Sequence, residues 1–199
     1  MLTLKETIKN DVRLALKEDL QTGDVTGQLI DVKQCSSAKV ITRQPMVMAG
    51  KDWFDESFLQ LDKSSEIKWL YHDGQQVKAN QVLCTINANS QALLAGERTA
   101  LNFLQLLSGV ATKTRRYVDQ IDSKTKVLDT RKTIVNLRAA QKYAVTCGGG
   151  FNHRFGLYDQ FLIKENHIKA CGSIEIAVSK AKNQHPNLII EVEVEDLNQ

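Results

Sequence analysis

Six basic side chains lie between Thr130 and Lys164, against a single acid, Asp159. This window therefore carries five net positive charges, whereas the whole chain of 199 residues has 26 Lys and Arg against 23 Asp and Glu, a net charge of +3. The rest of the chain sums to −2, so the positive charge is concentrated in one stretch. The basic residues are Arg131, Lys132, Arg138, Lys142, Arg154 and Lys164. Cations grouped at the ends of predicted strands favour a pocket for a small anion.

The first candidate segment is DTRKT, in which Arg131 and Lys132 follow Asp129 and Thr130. The segment ends a predicted strand, and ligand sites of α/β folds lie at the carboxyl ends of strands. No acid lies near the two cations on the helix predicted to follow, so a local ion pair does not explain them. The planar fork of arginine suits bidentate binding of a carboxylate, which contributes about 1.5–3 kcal/mol when well formed. A solvated basic loop is the alternative interpretation.

A second candidate segment follows three glycines at positions 148–150, which could let the backbone approach a ligand closely. The spacing is not that of a GxGxxG dinucleotide fingerprint. His153 stands beside Arg154, and we interpret it as a ligand-binding residue rather than a structural one. Lys164 ends another predicted strand, so its ammonium is expected where that strand opens into the site. His167 comes just after it and either supports the lysine or belongs to a plain turn.

An acidic strand near the end of the sequence carries Glu191, Glu193 and Glu195. Side chains alternate along a strand, so the three carboxylates are predicted to share one face. Parallel strands are usually covered on both faces, and buried carboxylates need cations. The candidates are Lys132, Lys164 and a bound Mg²⁺, a hard ion that takes oxygen ligands.

Arg98 has no acidic neighbour at helical spacing, because the residues three and four positions away are Leu94, Ala95, Leu101 and Asn102. A plain surface arginine and a functional one explain this equally well.

Taken together, these segments resemble the quinolinate phosphoribosyltransferase family. The resemblance rests on DTRKT, on GGGFNHR at 148–154 and on LIKENH at 162–167. Three further motifs match in the same order, namely EDLQTGDVT at 18–26, GERTALNFLQLLSGVAT at 96–112 and EVEVEDL at 191–197. Several multi-residue motifs in one order are far more specific than any single motif.

The resemblance implies an enzyme of NAD biosynthesis that converts quinolinate and phosphoribosyl pyrophosphate into nicotinate mononucleotide, pyrophosphate and CO2. It also implies a homodimer or higher oligomer in which Arg98 serves the active site of the neighbouring subunit. The implied quinolinate-binding residues are Arg98, Thr130, Arg131, His153, Arg154 and Lys164. The implied catalytic residues are Lys132, Lys164 and Glu193, with Glu193 at the ribose and at a Mg²⁺ cofactor.

Composition sets broader limits. Hydrophobic residues make up 42% of the chain and charged residues 25%, as in ordinary globular proteins. No apolar run approaches the roughly 18 residues that span a bilayer, and the charged start resembles neither a signal nor a transit peptide. The four cysteines form no CxxC pair. These features predict a cytoplasmic protein that binds neither a membrane nor, by the resemblance, a nucleic acid.

The predicted fold class is α/β, with an N-terminal α+β sandwich domain over 1–112 and an incomplete α/β barrel domain over 113–199. Hydrophobic periodicity predicts helices over 4–20, 51–61 and 90–109, with a break at Gly109 and a second helix after it. Short strands are predicted over 38–42, 45–48, 66–71 and 81–86. The second domain alternates strands over 126–129, 160–164 and 188–194 with helices over 133–143 and 173–183.

Three strand–helix units cannot close a barrel, which usually takes eight, so we expect a truncated or partial version of such an enzyme. The alternatives are a related phosphoribosyltransferase-like protein with another substrate, or an inactive fragment. A nucleic-acid binder that stacks bases on aromatic residues of the basic window is a more distant possibility.

Overall fold

A computed structural model describes residues 2–197 and 199. The chain divides into two compact units, 1–152 and 153–199, which are described separately. The first unit contains helices α1 (Leu4–Leu20), α2 (Lys51–Leu59), α3 (Ser90–Val118) and α4 (Arg138–Cys147). Its strands are β1 (Cys35–Ile41), β2 (Met46–Val47), β3 (Glu66–Trp69), β4 (Gln76–Val77) and β5 (Val82–Asn89).

The first helix follows directly from its sequence pattern. Thr3 and Glu6 form a reciprocal capping box at the start of α1, with the Thr3 amide donating to the Glu6 carboxylate over 2.7 Å. Ile8, Val12 and Leu16 recur at helical spacing and are buried. The prediction of a helix over 4–20 is confirmed.

An antiparallel sheet of order β1-β5-β3 forms the other layer of the first unit. Ile86 on the central strand lies opposite Ala38 on one side and Ile67 on the other. One hydrophobic cluster packs this sheet against α2 and α3, and a second packs α1 and α4 against the same two helices. The predicted α+β sandwich is therefore the architecture of this unit.

Helix α3 is a single helix of 29 residues, so the prediction of a break at Gly109 is wrong. Asn89 caps it by accepting hydrogen bonds from the Gln91 and Ala92 amides. The predicted domain boundary between residues 112 and 113 falls inside this helix. The division of the chain into two domains at that point stays a prediction.

The segment after α3 is less regular than predicted. The predicted strand over 126–129 is reduced to a single parallel bridge between Leu128 and Phe151. Helix α4 begins at Arg138 instead of Thr133, because a loop that includes Asn136 at φ +66° precedes it.

The second unit contains β6 (Phe161–Ile163), α5 (Glu165–Cys171), α6 (Ile174–Gln184) and β7 (Ile190–Val192). The two strands pair in parallel, as the alternating order of the elements predicts. Helix α5 was not expected from the sequence. Among the described residues of this unit, the buried cluster consists of Ile163, Ala177 and Ala181, so the core is small. Among helices of the described residues, none is both long enough and apolar enough to cross a membrane.

Candidate active site

The DTRKT loop presents two cations in the first unit. The Thr130 hydroxyl accepts a hydrogen bond from the Lys132 amide over 3.0 Å, which turns the chain back on itself. Lys132 is exposed, whereas Arg131 is half-buried and its Nε is shielded from solvent. Within residues 2–197 and 199, neither side chain makes a hydrogen bond or an ion pair, and the Arg131 Nε has no acceptor. A shielded donor without an acceptor is unfavourable, so an anionic ligand at this position would stabilise it.

A buried ion pair that the sequence analysis missed lies directly behind this loop. The Lys142 ammonium on α4 contacts the Asp129 carboxylate, and their side chains are only 2% and 6% exposed. Asn152 completes the group, because its amide nitrogen, oriented to suit its neighbours, donates to Asp129 Oδ2 over 2.6 Å and to the Lys142 carbonyl over 3.0 Å. The sequence did contain a signal: Asp129 is the only acid in the stretch 123–158.

The three glycines at 148–150 have a structural explanation. A Cβ on Gly148 would lie 2.5 Å from the Ala111 carbonyl oxygen of α3, and one on Gly150 would lie 2.9 Å from Thr114 Cγ2. Gly149 has φ +86°, a conformation that favours glycine. The interpretation that these glycines make room for a ligand is therefore corrected: the room is taken by α3.

In the second unit, His153 and Glu191 are joined directly. The His153 Nε2 lies 2.7 Å from Glu191 Oε2, and the Gln160 amide donates to the same oxygen over 3.1 Å. The Arg154 guanidinium makes a long hydrogen bond, 3.5 Å, to the Gln160 carbonyl. One polar group therefore contains His153, Arg154 and Gln160. The sequence indicated His153 and Arg154 as candidate site residues, but not Gln160.

Lys164 lies at the carboxyl end of β6, as predicted, and its ammonium bonds to Glu193 Oε2 over 2.5 Å. Its own amide donates to His167 Nδ1 over 3.0 Å at the start of α5, so His167 supports the lysine backbone. The expected partnership of Lys164 with one of the three glutamates is observed.

The prediction that the glutamates are buried is wrong. The side chains of Glu191 and Glu193 are 48% and 56% exposed, and Glu195 is also exposed. Among the described strands β7 pairs with β6 alone, so the other edge of β7 is unpaired.

Arg98 projects from the exposed side of α3 and makes no hydrogen bond or ion pair within the described residues. It borders a depression of about 410 Å³ in the first unit, which Asp11, Glu18 and Asn102 also line. Its availability is compatible with either interpretation offered by the sequence.

Two of the four cysteines, Cys84 and Cys147, are poor nucleophiles near neutral pH. Burial raises the pKa of the Cys84 thiol to about 12, and burial also raises the pKa of the Cys147 thiol to about 11. In the described part of the chain, no group of three or more His, Cys, Asp or Glu side chains could hold a metal ion.

An antiparallel α+β unit followed by parallel strands and helices defines an α/β protein, and cations lie at its strand ends. Family models give this class a specific identity. Residues 24–108 match the N-terminal domain of quinolinate phosphoribosyl transferase, and residues 110–199 match its C-terminal domain. The chain belongs to the quinolinate phosphoribosyltransferase family, as the resemblance predicted.

Individual relatives agree with this membership. The chain is 43% identical over 180 residues to a probable nicotinate-nucleotide pyrophosphorylase (carboxylating) of Bacillus subtilis, covering 89% of this chain. It is 40% identical over 202 residues to the corresponding protein of Mycobacterium leprae, covering 98% of this chain. It spans 62% of the Bacillus protein's length and 70% of the Mycobacterium protein's length.

Solved structures support the fold assignment. The nicotinate-nucleotide pyrophosphorylase of Francisella tularensis superimposes with a TM-score of 0.94 at 49% identity. The alignment covers 99% of this chain and 70% of that one. The α/β fold class is confirmed.

Proposed function

We propose that this chain acts in the transfer of a phosphoribosyl group from phosphoribosyl pyrophosphate to quinolinate, with loss of CO2, to give nicotinate mononucleotide and pyrophosphate in NAD biosynthesis. Family membership supports the reaction class, and the DTRKT loop supports the choice of an anionic substrate. The observation that carries the proposal is the half-buried Arg131 guanidinium, whose shielded Nε has no acceptor within the described residues.

Quinolinate is a pyridine dianion, so its binding needs several fixed cations. In this proposal the two carboxylates are bound by Arg131, His153, Arg154 and Lys164. The Thr130 hydroxyl donates a further hydrogen bond. Arg98 of a neighbouring subunit completes the pocket, which requires a homodimer or higher oligomer. Arginine forks suit carboxylates, and fixed cations lower the cost of bringing two negative charges into one site.

The chemistry needs positioning and electrostatic stabilisation and no nucleophilic side chain. The transition state at the ribose is expected to resemble an oxocarbenium ion, as in glycosyl transfer generally. Attachment of the sugar makes the ring nitrogen cationic. That charge stabilises the electron pair left on the ring carbon when the adjacent carboxylate departs as CO2, and a proton from solvent then forms the C–H bond of the product. Lys132 would neutralise the leaving pyrophosphate.

Mg²⁺ is a proposed cofactor. The residues fit an ion carried mainly by substrate phosphates, because Mg²⁺ commonly takes one or two protein carboxylates and Glu193 offers one at the end of β7. Bound there, the ion would supply charge neutralisation for the pyrophosphate. The proposed catalytic set is thus Lys132, Lys164 and Glu193. A cytoplasmic location remains part of the proposal.

Arg131→Ala tests the assignment. We expect turnover of quinolinate and phosphoribosyl pyrophosphate with Mg²⁺ to fall by at least about 100-fold, because a charge-stabilising donor is lost. The thermal midpoint should stay within a few degrees, since the Arg131 side chain has no hydrogen bond to lose. The measurement is formation of nicotinate mononucleotide, accompanied by a thermal melt.

Arg116→Ala is the matched control, because Arg116 is an exposed arginine of α3 that has no assigned role. It should retain full turnover. Melts of the unaltered chain with quinolinate and with nicotinate separate the main alternatives, since only the dianion engages both ends of the proposed pocket. Stabilisation by nicotinate alone would favour a related enzyme with another substrate, and full activity of Arg131→Ala would contradict the role of Arg131.

A further inference from the structure

The strongest unexplained feature of the first unit is the buried group formed by Asp129, Lys142 and Asn152. Lysine is almost never fully buried unless it is paired, and here its side chain is 2% exposed. Placing two charges away from water costs free energy that a hydrophobic pair of similar size would not cost. General stability is therefore a weak explanation for this pair.

The position of the group in the chain is more informative. Asp129 immediately precedes Thr130, Arg131 and Lys132, so its carboxylate fixes the root of the DTRKT loop. Asn152 immediately precedes His153 and Arg154. Two separate segments that lead into proposed substrate-binding residues are thus bonded to Lys142. Asp129 contacts its ammonium, and Asn152 donates to its backbone carbonyl.

Backbone hydrogen bonds join the same two segments. The Asp129 amide donates to the Phe151 carbonyl over 3.0 Å, and the Phe151 amide donates to the Val127 carbonyl over 2.8 Å. These two bonds form only one isolated bridge and not a regular sheet. A single bridge leaves the segments free to shift or twist, whereas the side-chain group adds bonds from both segments to α4.

We propose that Lys142 is a positioning residue, which acts through Asp129 and Asn152 to fix the starting points of the loops that bind quinolinate. It touches no substrate itself. The inference rests on the proposed function for what the loops bind, but not for how the loops are held. Lys142 supplies the charge and α4 supplies the rigid support, because Ala140 and Ala144 on either side are completely buried.

The test uses the full chain with Asp129→Asn and with the double variant Asp129→Asn, Lys142→Met. The double variant removes both charges at nearly constant volume, so it avoids leaving an unpaired buried ion. The matched control is Asp55→Asn, which makes the same chemical change at a part-buried aspartate on α2 that accepts a hydrogen bond from Trp69 over 2.7 Å. Asp55 has no assigned role in binding or catalysis.

Hydrogen–deuterium exchange measured without ligand is the first measurement. Both Asp129 variants should exchange faster in peptides covering 127–133 and 150–154 while α3 retains the protection of the unaltered chain. Asp55→Asn should not speed exchange in either peptide. Unchanged exchange in the two peptides, or faster exchange spread evenly over the first unit, would overturn the proposal, because a merely structural pair loosens the whole unit.

Quinolinate affinity, measured by calorimetry, is the second measurement. If the unaltered chain binds quinolinate, the double variant should bind it about 10- to 100-fold more weakly, with kcat less affected than KM wherever turnover is measurable, because misplaced contacts weaken binding. Parent-like affinity in a variant with loosened loops would also overturn the proposal. If the unaltered chain does not bind quinolinate, the proposed function fails, and the exchange result alone decides the role of Lys142.

Discussion

At the scale of single residues, Asp55 shows how burial alters an ordinary side chain. Burial raises the pKa of its carboxyl to about 6, although the hydrogen bond from Trp69 opposes the shift. A carboxyl whose folded-state pKa is raised contributes stability below its unfolded pKa and loses it as the pH rises through the folded value. Between about pH 4 and about pH 7, ionisation of this carboxyl is expected to lower the free energy of unfolding. The loss should be smaller than about 3 kcal/mol, because the group is partly exposed.

Asp55→Asn removes that pH dependence, so the variant should gain stability relative to the unaltered chain as the pH rises through about 6. Urea unfolding at about pH 4 and about pH 7 measures the difference. Asp62→Asn is the control with opposite sign, because hydrogen bonds from the Asn89 amide and from Ser64 lower the pKa of Asp62. An identical pH dependence in the unaltered chain and in Asp55→Asn would contradict the expected shift.

The residue scale also separates what a sequence can predict from what it cannot. The absence of a local ion pair for Arg131 is evident from neighbouring residue types, and the structure agrees. In the sequence Lys142 is one more cation of the basic window, yet in the structure it is buried against an acid thirteen positions away. A count of charges does not indicate which side chains are buried. The sequence therefore does not distinguish a buried, paired lysine of a helix from a solvated one.

At the scale of elements, helix α3 contains two glycines whose surroundings are opposite. Gly109 is exposed and a Cβ added to it would meet nothing within 4 Å. A Cβ on Gly96 would lie 2.9 Å from Phe58 Cδ1, inside the core. We expect Gly109→Ala to raise the free energy of unfolding by about 0.5–1 kcal/mol, and Gly96→Ala to lower it by about 1–3 kcal/mol.

Urea unfolding of the two variants checks this prediction, and each serves as the control for the other because both make the same change in one helix. A loss of stability in Gly109→Ala would mean that the helix bends at this residue after all. The same physics explains the wrong prediction of a break: one glycine costs about 1 kcal/mol, whereas α3 buries twelve residues along its length.

Elements with strong amphipathic periods agree with their predictions, and most of the predicted short strands are present, but the strand predicted over 126–129 is not. Helix α1 agrees with its prediction at both ends, because its apolar spacing and its capping box coincide. The strand expected over 126–129 makes only one bridge, and its apolar run Val127-Leu128 is too short to specify more. Pairing partners set the length of a strand, and the sequence of one strand does not contain them.

At the scale of the whole molecule, the two units differ in how much core each possesses. The first unit buries two large clusters, while the buried cluster of the second unit consists of Ile163 and two alanines. Small cores rarely supply enough apolar burial to offset the conformational entropy of the chain. The second unit is therefore expected to unfold at a lower urea concentration than the first.

Both tryptophans, Trp53 and Trp69, lie in the first unit, so tryptophan fluorescence reports that unit alone. Among the described residues 83 lie in α-helices, which contribute to far-UV circular dichroism, and 18 of these belong to the second unit. Because the second unit is expected to unfold first, we expect about a fifth of the dichroism signal to be lost in urea before the fluorescence changes. The transition would then not be two-state. Coincident transitions would contradict this expectation and show instead that the two units unfold in a single cooperative step.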